Sequence, residues 1–197
     1  MSEDWFLILR DKEISLLQNN KNIYKIEFDI KNTNKSNEDI FSTICDVIQK
    51  NIFFDFLFYL NNDLIYTSKS ELNASDHLYT IINVINKNNK IVKIKNEFYN
   101  IHIQSNYTLD NNTCTLYSIP FEMLTQHKED NDIYLHNFNM QISRNENGSV
   151  SVLVYFTFDK VIDQDIIKLC ISRNVQRIFY RLKLRYENPQ CFVQNQK

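Results

Sequence analysis

Asp29 and Lys31 stand two residues apart in the stretch IEFDIK, Ile26 to Lys31, which ends a strand-like run preceded by a segment beginning near Asp11. Carboxylates placed this way can hold Mg²⁺, and a neighbouring lysine can help activate water, which is the chemistry of metal-assisted hydrolysis. A solvated strand end leading into a loop accounts for the same triplet, which recurs by chance in a chain this charged. The histidines offer less. His77, His102, His127 and His136 are remote from one another, and none has a second ligand two, three or four residues away. His136 falls on the apolar face of an alternating run and reads as a hydrogen-bonded core or rim histidine. Cys45, Cys114, Cys170 and Cys191 form no C-x-x-C pair, which argues against a zinc cage and fits reduced thiols. No catalytic residue, metal ligand or cofactor is therefore assigned.

The most regular charged pattern lies near the C-terminus, in CISRNVQRIFYRLKLRY, Cys170 to Tyr186. Four of the six arginines fall there at intervals of four: Arg173, Arg177, Arg181 and Arg185. At about 100° per residue, Ile167, Ile171, Val175, Ile178, Phe179 and Leu182 share one helical face and predict a core stripe. The arginines begin nearly opposite that stripe and drift toward its edge. Four guanidiniums on one ridge could track a phosphate backbone with salt-dependent binding. Yet Leu184, Cys170 and Tyr180 share the ridge, and arginine mixed with apolar and tyrosine side chains is what protein interfaces favour. Arg173, Arg177, Tyr180, Arg181, Leu184 and Arg185 are accordingly the expected partner-binding set. The remaining reading is that the helix packs this second face on the chain's own acidic body.

That body is acidic. Residues 1–160 carry a formal net charge of −6 and residues 161–197 one of +4, giving −2 over the 197-residue chain. Only one glycine is present, Gly148, against 27 asparagines, a skew that A/T-rich codons explain. A single glycine cannot supply a Gly-rich phosphate loop, a dinucleotide fingerprint or a G-x-S-x-G elbow. Those chemistries are excluded. At 43% apolar and 13% aromatic residues the chain can bury a core. The most apolar window, IFFDFLFYL from Ile52 to Leu60, contains Asp55 and is too short to span a bilayer. With no signal-peptide pattern at the N-terminus, the expected location is intracellular, cytoplasmic or nuclear.

The elements that must position these residues follow from periodicity. Three strands, Trp5–Arg10, Glu13–Leu17 and Asn22–Ile30, form an N-terminal meander. An N-cap in SNED, Ser36 to Asp39, starts a helix to about Ile52, and strands are expected at Phe53–Leu60 and Leu64–Thr67. A second helix is predicted from Asn73 to Lys87, because Leu78, Ile81, Ile82 and Ile85 fit one helical face. Further strands are expected near Ile91–Ile94, Phe98–Ile103 and Cys114–Ile119. The runs Asp132–Ile142 and Ser149–Phe158 alternate strictly around Asn147-Gly148 and predict a hairpin. Asp163 caps a final long helix from about Gln164 to Tyr186, and Pro189 marks its end.

The expected fold class is α+β, a mainly antiparallel sheet packed with about three helices. It is read as a single domain over 1–190 with a weak seam at 106–112 and a flexible tail at 191–197. The function that composition and motifs favour is a non-catalytic, intracellular interaction subunit or scaffold docking through the C-terminal helix. Nucleic-acid binding by the same helix and a metal-dependent nuclease at Asp29 and Lys31 are the alternatives. Protein partners are expected, nucleic acid is admitted, and neither a membrane nor a small molecule is.

Overall fold

The computed structural model describes residues 4–11, 13–32, 39–72, 77–86, 97–119, 132–134, 137–157 and 165–188. Three N-terminal strands, β1 (Trp5–Asp11), β2 (Ile14–Asn19) and β3 (Tyr24–Ile30), form the predicted meander. Buried and half-exposed residues alternate along β2 and β3, so each strand gives one face to the core and one to solvent. With glycine scarce, other residues take the left-handed positions: Asn22 (φ 60°) turns β2 into β3, and Glu13 (φ 65°) lies between β1 and β2. Asn19 braces the first of these turns by accepting from the backbone N–H groups of Lys21 (3.0 Å) and Ile23 (2.9 Å).

Helix α1 (Ile40–Gln49) is N-capped by Asp39, whose side chain accepts from Phe41 N at 3.1 Å. It stops short of the expected Ile52 because Asn51 adopts φ 56°. The N–H of Asn51 then bonds to Ile48 O (2.9 Å) and that of Ile52 to Val47 O (3.2 Å), the paired bonds of a Schellman stop. The chain reverses into helix α2 (Phe53–Leu60), where a strand was expected. Phe53, Phe54, Leu57 and Leu60 are buried together, a helical spacing hidden in the sequence by the nearly continuous apolar run.

Strands β4 (Ile65–Leu72), β5 (Leu78–Asn86), β6 (Glu97–Leu109) and β7 (Thr113–Ser118) follow. The predicted 73–87 helix is corrected: its described part is β5, paired along both edges with β4 and β6. Leu78, Thr80 and Ile82 point to the core at period two, and the Ile, Val, Thr and Tyr content suits a pleated surface. The residues of the suspected seam, 106–112, lie in β6 and its turn into β7. The strand expected near Ile91–Ile94 lies outside the described residues, as do Asp163, Pro189 and the 191–197 tail.

The C-terminal hairpin is present with one change. The run expected as a single strand is divided into β8 (Asp132–Tyr134), parallel to β6, and β9 (Asn139–Arg144). β10 (Val150–Phe156) pairs with β9 on one side and β3 on the other. Between β9 and β10, Gly148 alone takes the left-handed conformation (φ 77°), and its N–H bonds to Asn145 O at 3.0 Å. The sheet order is β1-β2-β3-β10-β9-β7-β6-β5-β4, with β8 beside β6. Helix α3 (Asp165–Glu187) lies on the inner face at the β1–β3 end, with α1 and α2 toward the other strands. The core between sheet and helices includes Ile14, Leu16, Ile26, Phe28, Ile103, Leu116, Met140, Val152 and Val154.

Candidate functional site

The two sheet faces differ in chemistry. On the inner face near the β4 edge, hydroxyl side chains interrupt the apolar surface. Ser70 of β4 stands opposite Thr80 of β5, with their oxygens 2.9 Å apart. Ser105 of β6 stands opposite Leu78 on one side and Ser118 of β7 on the other. Thr80 is 0% and Ser105 1% exposed. Ser118 Oγ accepts from Phe138 N at 2.9 Å, whereas Ser105 Oγ has no hydrogen-bond partner among the described residues. The alternation of β5 and β6 sends these groups inward, among Leu78, Ile82, Ile103 and Leu116. Sequence reading missed them, since a serine in an alternating strand carries no signal of its own.

Cys45 of α1 and Cys114 of β7, both buried, meet beneath this face as free thiols. The hydrogen bond to Cys114, together with burial, pushes the Cys45 thiol well above its usual range, so it stays protonated. The end of β9 is tied to the start of α1: Arg144 pairs with Asp39 and lies 4.9 Å from the centre of the Phe41 ring.

The outer face carries an open hollow of about 550 Å³ lined by Glu13, Ser15, Glu27, Asp29, Lys31 and Ser151, among others. Here Asp29 Oδ1 accepts from Ser151 Oγ at 2.7 Å, and Lys31 Nζ pairs with Glu13 at 3.0 Å. The Glu13 carboxyl is held below its ordinary range by the Lys31 hydrogen bond and, next, by Lys183. Among the described residues no group of three or more His, Cys, Asp or Glu is placed to hold a metal. On the same face Tyr79 OH and His102 Nδ1 share a 2.6 Å hydrogen bond, and Asn106 Nδ2 donates to His77 Nδ1 at 3.2 Å. His127 and His136 lie outside the described residues.

The arginine ridge of α3 is divided among several surroundings. Arg177 (2.8 Å) and Arg181 both pair with Asp63, in the turn after α2, and Arg181 also donates to Leu60 O at 3.3 Å. These hydrogen bonds and charges hold the Asp63 carboxyl below its ordinary value, with Arg181 the largest influence. Arg173 is exposed, while Tyr180, Leu184 and Arg185 are half-buried. Phe179 and Leu182 enter the core, and Val175 and Ile178 pack against it, as the predicted stripe requires. The side chains of Ile167, Cys170 and Ile171 lie outside the described residues. Two polar residues of the buried side went unpredicted. Gln176 Nε2 donates to Ile14 O at 3.0 Å, and Lys183 Nζ, almost fully buried, reaches Glu187 at 2.7 Å and Asp29 O.

No protein-family model matches the chain, and no curated protein matches it. Solved structures do. Human StAR-related lipid transfer protein 5 superposes with a TM-score of 0.68 at 9% identity, covering 94% of this chain and 88% of that one. The lipid transfer and protein localization domain of human StarD13 gives 0.56 at 9% identity, covering 91% and 89%. A STAR-related lipid transfer protein from Xanthomonas axonopodis gives 0.52 at 9% identity, covering 90% and 98%.

This likeness bears out the α+β class and overturns the functional expectation. The sequence points to an interaction subunit or scaffold, with nucleic-acid binding or a nuclease as alternatives, yet the fold is shared with proteins named for lipid transfer. The expectation of protein or nucleic-acid partners without a small molecule is corrected on the same ground. Helical spacing reveals which residues share a face but not what that face meets. For Arg177 and Arg181 it meets Asp63 of the same chain. No helix among the described residues is long and apolar enough to cross a membrane.

Proposed function

We propose that this protein binds a lipid-class small molecule against the inner face of its sheet, beneath the helices, and carries it without chemical change. The observation that carries this reading is the shared arrangement of a long antiparallel sheet and C-terminal helix over 94% of the chain with human StAR-related lipid transfer protein 5. The more specific fold is then the helix-grip arrangement, in which a curved sheet and a long C-terminal helix enclose the ligand. The inner face supports the reading through its chemistry. It presents Ile, Leu, Val, Phe and Met side chains to the core beneath the helices, an apolar surface of the kind a hydrocarbon ligand matches. The free, contacting thiols of Cys45 and Cys114 fit a reducing, intracellular setting.

The test is lipid capture and transfer. Purified protein incubated with mixed-lipid vesicles and re-isolated should carry a stoichiometric lipid detectable by mass spectrometry. It should also speed exchange of a labelled lipid between donor and acceptor vesicles. Re-isolated protein free of lipid, with exchange no faster than in buffer, would remove the proposal.

A further inference from the structure

We infer that Ser70, Thr80 and Ser105 form a neutral hydrogen-bonding subsite for the polar end of an uncharged lipid bearing a hydroxyl group. The inference rests on the proposed lipid binding and specifies the ligand class.

The first observation is placement. Ser70 and Thr80 are directly paired across β4 and β5, and Ser105 lies two residues along β6 from Ile103, the partner of Thr80. Diagonal neighbours of this kind are about 7–8 Å apart, a span that one hydroxyl group bridges. Thr80 and Ser105 are closed to solvent in the ligand-free fold, so the ligand enters by displacing the side chains packed over them. Around them the face is apolar, with Leu78, Ile82 and Ile103 as immediate neighbours. The second observation is independent. Ser105 is 1% exposed and its hydroxyl meets no hydrogen-bond partner among the described residues. Buried polar groups in native proteins are almost always satisfied, and one that is not calls for a missing partner. The Ser70–Thr80 pair uses one donor and one acceptor of the two hydroxyls, leaving a further donor and lone pairs.

The chemistry of the head group follows from charge. A hydroxyl-bearing ligand both donates and accepts, so it can satisfy Ser105 while joining the Ser70–Thr80 pair. A carboxylate or phosphate only accepts, and burying its charge requires a cation. The helices packed over this end of the sheet, α1 and α2, carry no lysine or arginine within Ile40–Gln49 or Phe53–Leu60. An anionic head therefore gains no counter-charge from the helices over this subsite.

Three ligands with one chain length separate these cases: 1-dodecanol, dodecanoate and dodecane, each competing with Nile red bound to the full-length protein at neutral pH. Dodecanol should bind more tightly than the other two. Ser105→Ala and Thr80→Val should each weaken dodecanol roughly three- to tenfold, the worth of one hydrogen bond, and leave dodecane within about twofold. Ser105→Ala should melt at or above the wild-type temperature when ligand-free, because it removes an unsatisfied buried hydroxyl. A merely structural role would lower it. Dodecanoate binding as tightly as dodecanol, or dodecanol affinity unchanged in both variants, overturns the subsite while lipid binding stands. Failure of Nile red and all three competitors to bind the wild type overturns both.

Discussion

Asp63 is the residue on which the arginine ridge turns. Its carboxylate takes Arg177 and Arg181 together, and their hydrogen bonds and charges hold its pKa below the ordinary 3.8. A carboxylate lowered in the folded state stabilises the protein above its unfolded pKa, and that contribution fades as pH falls through the lower folded value. The expected contribution is under about 1 kcal/mol, because the site is partly exposed and screened. Asp63→Asn should thus lower the urea midpoint slightly at pH 7 and hardly at all near pH 2.5. An equal loss at both pH values would mean that packing, not charge, is what Asp63 supplies. The sequence showed the four-residue arginine spacing plainly. It carried no sign that an aspartate more than a hundred positions earlier would receive two of the four.

At the scale of elements, α2 and β5 are the two that local patterning misassigned, and for one shared reason. An apolar run such as FFDFLFYL satisfies strand and helix periods alike, and LYTIINVIN contains Leu78, Ile81, Ile82 and Ile85 at helical spacing by coincidence. The choice was made by surroundings: a Schellman stop at Asn51 that turns the chain into α2, and two neighbouring strands that satisfy both edges of β5. The helical assignment of 53–60 has a mutational signature. Phe53 and Phe54 are consecutive and both buried, which a strand with one face in solvent does not allow, whereas Tyr59 is 54% exposed. Phe53→Ala and Phe54→Ala should each cost about 3–5 kcal/mol in urea unfolding. Tyr59→Ala should stay within about 0.5 kcal/mol. A tolerant Phe53 or Phe54 would contradict the packing. Most other elements were legible, from the β1–β3 meander and α1 to β6 and β7, and most sharply β2, β3, β10 and α3, whose pattern fits one period only.

Over the whole molecule, the sheet order places β3 against β10, so the first thirty residues complete a sheet with residues 150–156. A division at 106–112 would leave β3 without that neighbour and expose the Val152 and Val154 side of the core. A fragment spanning residues 1–106 should therefore lack cooperative thermal unfolding followed by circular dichroism; a sigmoidal, reversible transition would establish an independent N-terminal unit. By itself the sequence determined the α+β class, the N-terminal meander, the C-terminal hairpin and long helix, and the exclusion of glycine-dependent chemistry. These are local matters, settled by periodicity, turn residues and composition. Only the tertiary structure decided that α2 is a helix and β5 a strand, that two of the ridge arginines serve the chain's own Asp63, and that buried hydroxyls gather on the inner face. Each depends on contacts between segments distant in sequence, formed where burial and hydrogen bonding across the assembled sheet outweigh local preference.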